Sequence, residues 1–288
     1  RMKISEILKQ YDRGVCFEFF PPKTETGRKS LEAKVKALKE YKPLYVSMTY
    51  GATGGTQDKT KNAVSMLLNE EELVVMPHLT SIGARAGSIK NILDEYKEKG
   101  IENIMALRGD PPQGEEAGNF NPAGRDFSYA RDLVKFIKKY NHFCIGIAVY
   151  PEGHIETSSL EQDIEYAKEK IDAGADFAVT QMFFDNSYYY ALLDRMEKKR
   201  ISLPVLPGIL PLTDVAKVKQ FSSICRTTIP KKIEETMSRF AGRPSEMEKA
   251  GIDFTIKQCR DLIKNGAKRL HFFTLNKLEV IKTILSAI

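Results

Sequence analysis

The residue with the clearest capacity for chemistry is Glu18, a carboxylate inside the apolar run of residues 15–20. Pro21 and Pro22 follow this run and should end a strand there, because proline lacks the N–H of a β-ladder. A carboxylate on a buried strand costs several kcal/mol unless it is paired or protonated, and apolar neighbours raise its pKa. One interpretation is therefore a glutamic acid that donates a proton near neutral pH. The alternative is a strand-end glutamate that faces water.

Polar side chains also follow other apolar runs, each at the point where a strand would end. They are Ser47, Thr49 and Tyr50; His78 and Thr80; Arg108, Gly109 and Asp110; Tyr150 and His154; Thr180 and Gln181; and His271 and Thr274. Taken singly, each has a structural explanation: a lone histidine is usually hydrogen-bonded in a core, and Arg108 with Asp110 forms a plausible ion pair. Their shared position at strand ends predicts a ligand site.

The cysteines and histidines do not suggest a metal centre or a nucleophile. The four cysteines (Cys16, Cys144, Cys225, Cys259) are widely separated without a C-x-x-C pair. The four histidines lack the spacing of a zinc motif. We therefore expect reduced thiols and no catalytic metal.

The composition indicates an ordinary globular chain of 288 residues, with 42% hydrophobic and 28% charged residues and a formal charge of +6. Its lysines alternate with acids on helix-like segments, so we expect no nucleic-acid surface. No apolar run approaches the ~18 residues of a membrane span, and the N-terminus lacks the apolar block of a signal peptide. We expect a cytoplasmic protein that does not contact membranes.

Eight strand-like runs alternate with helical patterns along the chain. The runs are residues 15–20, 45–50, 74–80, 103–108, 144–150, 177–184, 205–210 and 270–274, and the clearest helical patterns are residues 27–41, 88–99, 129–140, 160–173 and 187–198. This alternation predicts an α/β fold, a single (β/α)₈ TIM barrel spanning residues 1–288 as one domain. A doubly wound sheet is the alternative, but no G-x-G-x-x-G or P-loop follows any strand.

Two segments are longer than a minimal barrel requires. Residues 109–126 form a Pro/Gly-rich stretch after the fourth strand, and residues 212–268 hold about three helical patterns between the seventh and eighth strands. Both leave the carboxyl ends of strands, the face on which barrel enzymes build their sites. We therefore expect both segments to lie at the site face of the barrel, with the extra helices between strands 7 and 8.

Nine short motifs, in order over almost the whole chain, resemble one family. They are FEFFPP (17–22), VSMTYG (46–51), PHLT (77–80), ALRGD (106–110), YPEGH (150–154), DAGA (172–175), TQ (180–181), PGILP (207–211) and HFFTLN (271–276). The family is that of the methylenetetrahydrofolate reductases, flavin-dependent barrel enzymes of one-carbon metabolism.

The resemblance implies an FAD enzyme that reduces 5,10-methylenetetrahydrofolate to 5-methyltetrahydrofolate, with hydride from NADH or NADPH. Glu18 matches the general acid, which protonates N10 so that the ring opens to a 5-iminium cation. Asp110 matches the carboxylate that tunes the flavin and favours the cationic folate. Gln181 matches a pterin-binding residue, Phe221 an aromatic that packs on folate or nicotinamide, and Lys277 a position near the folate tail that is often arginine.

The same resemblance implies an FAD site drawn from many parts of the chain. Its matching positions are Thr49 (near flavin N5), His78, Leu107, Arg108, Gly109, Asp110, Tyr129, Ala130, Ala148, Tyr150, His154, Asp163 and Lys170. Arg108, His154 and Lys170 are suited to neutralise a pyrophosphate. The chain departs from the family pattern at Glu169, where a basic residue is common, and at Tyr166, where an amide is usual. These departures predict altered phosphate or ribose contacts.

Two other functions remain open at this stage. Some members of the family take electrons from a partner protein in place of a nicotinamide, and no fingerprint in this sequence separates the two sources. The barrel could also serve as a noncatalytic subunit or binding module, in which case the protein would not bind FAD. The resemblance also leads us to expect a homo-oligomer.

Overall fold

The computed structural model describes residues 2–50, 57–68, 73–109 and 126–288, and its strands form one parallel sheet that curves into a barrel. The strands are β1 (Gly14–Phe19), β2 (Tyr45–Met48), β3 (Val75–Thr80), β4 (Asn103–Leu107), β5 (Cys144–Val149), β6 (Phe177–Thr180), β7 (Val205–Leu206), β8 (Gly208–Ile209) and β9 (Arg269–Phe273). Their spatial order is β7-β6-β5-β4-β3-β2-β1-β9-β8, and all of these neighbours pair in parallel.

Strands β7 and β8 are two halves of one barrel strand, separated by Pro207. β7 pairs with β6, and β8 pairs with β9, so this interrupted strand closes the sheet. Proline has no N–H for the ladder, but the Pro207 carbonyl accepts a hydrogen bond of 3.0 Å from the His271 N–H. The predicted (β/α)₈ barrel is therefore confirmed, and the doubly wound alternative is wrong.

Helices surround the strands in the described part of the chain. They are α1 (Ile4–Gln10), α2 (Glu25–Leu38), α3 (Gln57–Leu68), α4 (Ala86–Glu98), α5 (Ala130–Lys138), α6 (Leu160–Asp172), α7 (Asn186–Lys198), α8 (Val215–Cys225), α9 (Lys231–Arg239), α10 (Pro244–Lys264) and α11 (Leu278–Leu285). The three helices predicted between the seventh and eighth barrel strands are α8, α9 and α10. None of the described helices has an apolar stretch sufficient to span a bilayer. The predicted Pro/Gly-rich loop lies outside the described residues, apart from its ends.

Strand β6 is shorter than the apolar run of residues 177–184 predicted. It ends at Thr180, and Met182 and Phe184 pack with residues of α8, α9 and α10 in a separate apolar cluster. The run stays apolar because the extra helices cover it. The apolar run therefore continues past Thr180, the residue at which β6 ends.

Helix α1, which the sequence did not predict, closes the amino-terminal end of the barrel. Ile4 is fully buried, and its N–H donates to Asn103 Oδ1 at 2.7 Å. The Arg269 guanidinium donates to the carbonyl oxygens of Leu8 and Tyr11, each at 2.7 Å. The apolar side chains of α1 continue into the barrel interior, where they join Cys16 and other inward-facing residues.

Alternation along β1 positions the candidate acid. Cys16 belongs to the cluster inside the barrel, whereas Phe17 and Phe19 belong to the layer between strands and helices. Successive side chains of a strand point to opposite faces, so Glu18 faces the interior one step above Cys16. It therefore lies toward the carboxyl ends of the strands.

Candidate active site

A cavity of about 320 Å³ opens at the carboxyl ends of the barrel strands. Ten of the residues predicted from the sequence line it: Glu18, His78, Leu107, Arg108, Gly109, Ala148, Tyr150, His154, Gln181 and Phe221. A larger cavity of about 580 Å³ lies among α7, α9 and α10, but no strand-end residue lines it. We take the smaller cavity as the candidate site because the predicted polar groups converge there.

A second cavity of about 260 Å³ adjoins the first and shares Arg108, Tyr150 and His154 with it. The predicted residues Tyr129, Ala130, Asp163 and Lys170 line this outer cavity. The two cavities together form an elongated site, with an inner part inside the barrel mouth and an outer part along α5 and α6. We refer to them as the inner and outer cavities.

Among the described residues, the predicted site residues Thr49 and Lys277 do not line either cavity. Thr49 follows β2 and is half-buried, and its N–H pairs with the Phe19 carbonyl at 3.0 Å. Lys277 Nζ donates to Thr213 Oγ1 at 2.9 Å and lies 3.9 Å from a carboxylate oxygen of Glu248. Asp110 lies outside the described residues. The roles of these three residues stay predictions.

Glu18 sits between two histidines in the inner cavity. Its Oε2 lies 3.2 Å from His271 Nε2 and 3.4 Å from His78 Nε2. The His78 nitrogen makes no well-aligned hydrogen bond within the described part of the chain. The side chain of Glu18 is 13% exposed, so most of it is shielded from solvent, and it lines the cavity.

Tyr45 holds the ring of His271 in place through its Nδ1 nitrogen. Its hydroxyl oxygen lies 2.9 Å from His271 Nδ1, and both side chains are fully buried. Burial raises the pKa of Tyr45 well above its ordinary value, so the phenol keeps its proton, and its oxygen can donate to Nδ1 or accept from it. A neutral His271 that donates Nε2–H to Glu18 accepts from the Tyr45 hydroxyl at Nδ1, whereas a protonated His271 donates from both nitrogens.

This cluster reverses the protonation state expected for Glu18. Burial raises its pKa, but the charge of His78 and the hydrogen bond from His271 outweigh burial and lower the pKa to about 2. The expectation of a raised pKa is wrong because it considered only the apolar neighbours in sequence. Glu18 is therefore a carboxylate at neutral pH. Its pairing with the two histidines stabilises the fold fully above the ordinary pKa of 4.5, and this stabilisation is lost as the pH falls through the lowered pKa of about 2.

The backbone around Glu18 is fixed by the segment that follows β9. The Glu18 carbonyl accepts from Thr274 Oγ1 at 2.6 Å and from the Thr274 N–H at 3.2 Å. The side-chain amide of Asn276 pairs with both the N–H and the carbonyl of Phe20, at 3.0 and 3.1 Å. Asn276 has φ of 56°, a left-handed conformation that asparagine tolerates well. These contacts hold the candidate acid in one position.

Lys170 is a cation of the outer cavity that bonds to the protein backbone. Its ammonium donates to the Ala148 carbonyl at 2.6 Å and lies 5.8 Å from the centre of the Tyr150 ring. Burial lowers the pKa of Lys170 to about 8, although the charge of Asp163 opposes this shift. Burial also raises the pKa of Asp163. An anionic ligand here would therefore restore the full charge of the lysine.

Arg108 lies where the inner and outer cavities meet. Its two terminal nitrogens donate to the two carboxylate oxygens of Glu156, at 2.5 and 2.7 Å. This two-point pairing fixes the plane of the guanidinium. The sequence predicted Arg108 but missed Glu156. The sequence analysis also missed Tyr45, which contacts His271, and Arg131, which lines the outer cavity.

The arrangement is suited to a dinucleotide and to proton transfer. Ala148 leaves room for a flat ring in the inner cavity, and Arg108 and Lys170 supply cations along the outer one. Within the described ranges, no group of three His, Cys, Asp or Glu side chains is placed to hold a metal ion.

Comparison with known proteins identifies the family. Residues 3–288 match the family model described as methylenetetrahydrofolate reductase. The chain is 35% identical to the 5,10-methylenetetrahydrofolate reductase of Escherichia coli over 277 residues, covering 96% of this chain and 90% of that one. It is 34% identical to methylenetetrahydrofolate reductase (NADH) 1 of Arabidopsis thaliana over 285 residues, covering 95% of this chain but 48% of the plant protein.

One similar solved structure is that of an uncharacterized protein from Clostridium thermocellum that binds two copies of 5-methyl-5,6,7,8-tetrahydrofolic acid. It has a TM-score of 0.60 and 13% identity, and the match covers 99% of this chain and 98% of that one. At this identity the likeness supports the fold alone. The family model and the curated relatives show more: the chain belongs to the methylenetetrahydrofolate reductase family, whose reaction is the reduction of methylenetetrahydrofolate.

Proposed function

We propose that this protein reduces 5,10-methylenetetrahydrofolate to 5-methyltetrahydrofolate, with hydride passed from NADH or NADPH through bound FAD. The observation that carries the proposal is the largely buried Glu18 carboxylate, which faces two imidazoles at the inner end of an elongated cavity. Family membership supplies the folate reaction, and the cavity supports the flavin and the proton donor.

The residues of the two cavities fit an extended flavin dinucleotide. His78, Leu107, Gly109 and Ala148 would border the ring system in the inner cavity. Arg108 and Lys170 would hold the phosphates in the outer cavity, and Tyr129 would contact the adenosine end. When bound, the flavin would supply the hydride that the folate receives.

The residues around Glu18 provide a route for the proton that ring opening requires. A proton shared between a carboxylate and an imidazole can reside on either group, and loss of water favours the neutral pair. Bound folate would displace water from Glu18, so a neighbouring histidine in its protonated form would pass a proton to the carboxylate and become neutral, and the carboxylate would pass that proton to the folate nitrogen. Tyr45 holds His271 in the orientation that this transfer needs.

The visible spectrum of the purified protein tests the proposal. We expect a yellow protein with flavin absorption bands, and we expect NADH or NADPH to bleach those bands under anaerobic conditions. Added 5,10-methylenetetrahydrofolate should then restore them. Bleaching by dithionite alone, followed by recovery with folate, would replace the nicotinamide with a partner protein as electron source. A colourless protein that binds no flavin would contradict the proposal.

The affinity for FAD should depend on the protonation of Lys170. Its pKa of about 8 in the structure should rise when a diphosphate binds, so binding takes up a proton above that pH. We expect the dissociation constant for FAD to change little just below pH 8 and to increase by up to about tenfold per pH unit above it. Fluorescence titrations across this range measure the effect. Riboflavin, which has no phosphate, is the control and should show no such increase.

Several narrower assignments extend the proposal. Gln181 and Phe221 line the inner cavity and are proposed to contact the folate. Thr49, Asp110 and Lys277 keep the roles that the resemblance implies. A cytoplasmic location and assembly as a homo-oligomer also belong to the proposal.

A further inference from the structure

Two exposed tyrosines flank the outer cavity. Tyr129 precedes α5 and is 46% exposed, and Tyr166 lies on α6 and is 41% exposed. Both side chains line the same cavity. Large aromatic side chains with this much exposed surface are suited to stacking on a flat ligand ring.

An ion pair between α5 and α6 spans the same region. Arg131 pairs with Glu169, and its guanidinium carbon lies 4.7 Å from the centre of the Tyr129 ring. The backbone of Tyr129 is fixed in turn, because its N–H donates to the Asp132 carboxylate at 2.9 Å. Arg131 is therefore held from two sides, while 38% of its side chain remains exposed.

Among the described residues, the charges lining the outer cavity balance, and this affects how the cavity would bind an anionic ligand. The cations are Arg108, Arg131 and Lys170, and the carboxylates are Glu156, Asp163 and Glu169. Three of each sign give these described side chains a formal sum of zero. They would give a diphosphate no net attraction unless an arginine turned from its carboxylate to the ligand. Glu169 is the most exposed of the paired carboxylates, at 44%, whereas Glu156 is 25% exposed.

The geometry points to Arg131 and Tyr166 as the residues by which this chain binds the adenosine diphosphate half of its dinucleotide, with Glu169 as the group that competes for Arg131. In this arrangement Arg131 contacts the diphosphate, and the ring of Tyr166 stacks on the adenine. The inference rests on the proposed FAD-dependent function. It also accounts for the acidic residue at position 169, because Arg131 supplies the positive charge from the neighbouring helix.

Opposite effects of the two partners provide the test. Flavin-free protein is titrated with FAD and with riboflavin, and binding is followed by flavin fluorescence. We expect Arg131→Gln to weaken FAD binding by about tenfold. We expect Glu169→Gln to strengthen it by about threefold, because it removes a competing negative charge. Neither variant should alter riboflavin binding. Arg131→Lys should restore part of the FAD affinity.

Tyr166 is tested by separating its ring from its hydroxyl. We expect Tyr166→Ala to weaken FAD binding by about fivefold or more and Tyr166→Phe to leave it unchanged. Riboflavin should bind both variants like the parent protein. Equal FAD affinity in the alanine variant and the parent would overturn the stacking role.

The exposed pair between Lys199 and Glu165 is a matched control. Glu165 also lies on α6, the two side chains approach to 2.6 Å, and neither lines the outer cavity. Lys199→Gln and Glu165→Gln should not affect FAD binding. If Arg131→Gln and Glu169→Gln shift FAD affinity in the same direction, or shift riboflavin equally, the inference fails while the proposed function stands. Failure of the parent protein to bind any flavin overturns both.

Discussion

Replacing Glu18 with glutamine is expected to reduce the rate of folate reduction by about 10²–10⁴-fold, the usual contribution of a general acid. Glutamine keeps the size and polarity of the side chain but cannot pass a proton from His271 or His78 to the ligand. Transfer of hydride from a nicotinamide to the flavin requires no such proton donor. We therefore expect that first half-reaction to change by less than about threefold, within ordinary context effects.

Rapid-mixing absorbance measurements separate the two half-reactions. The flavin is reduced with NADH in one experiment and with dithionite in another, so the second step is measured whatever the natural electron source. Glu32→Gln, a change on α2 where the carboxylate pairs with Lys36 at 3.0 Å, is the control and should affect neither step. Equal losses in both half-reactions would mean that Glu18 is structural.

Replacing Gly251 with alanine should destabilise the protein strongly. A Cβ atom at this position would lie 1.5 Å from the Leu212 carbonyl oxygen and 2.6 Å from its carbon. Both are backbone atoms, so α10 must move away from the segment that follows β8. We expect a loss of about 3 kcal/mol, which should lower the thermal midpoint by about 6 °C. Calorimetry or circular dichroism measures this change.

Gly87→Ala makes the same substitution in α4, where a Cβ atom would meet open space. Restricting the unfolded chain should stabilise that variant by about 0.5 kcal/mol. Similar thermal midpoints for the two variants would contradict the close packing of α10. The Gly251 variant should also perturb the inner cavity, because α8 contributes Phe221 and Cys225 to its lining and belongs to the same group of helices.

Much of the barrel could be predicted because each strand and helix leaves a local pattern. Seven of the predicted runs match strands to within two residues at each end. The division of the seventh strand at Pro207 was harder to predict. Proline cannot donate to the ladder, but its carbonyl still accepts, so the apolar run continues across the division. Helix α1 was missed because seven residues carry too short a periodic pattern.

The sequence predicted the location of the site residues more successfully than the protonation state of Glu18. Strand ends gather at one face of a parallel barrel, so Glu18, His78 and Arg108 could be expected near one another. Their individual pairings could not, because a position at a strand end does not show that His271, 253 residues away in sequence, donates to Glu18. The protonation state of Glu18 depends on that distant partner. Local apolar neighbours therefore gave the wrong direction for its pKa.

The position of α1 also affects how small molecules reach the site. Ile4 and Cys16 are fully buried at the amino-terminal end of the barrel. In the part of the chain that the structure describes, that end is therefore closed. A small molecule that reaches Glu18 therefore enters from the carboxyl ends of the strands. In the proposed reaction, folate and nicotinamide would use the same opening, and a compound bound there would inhibit both half-reactions.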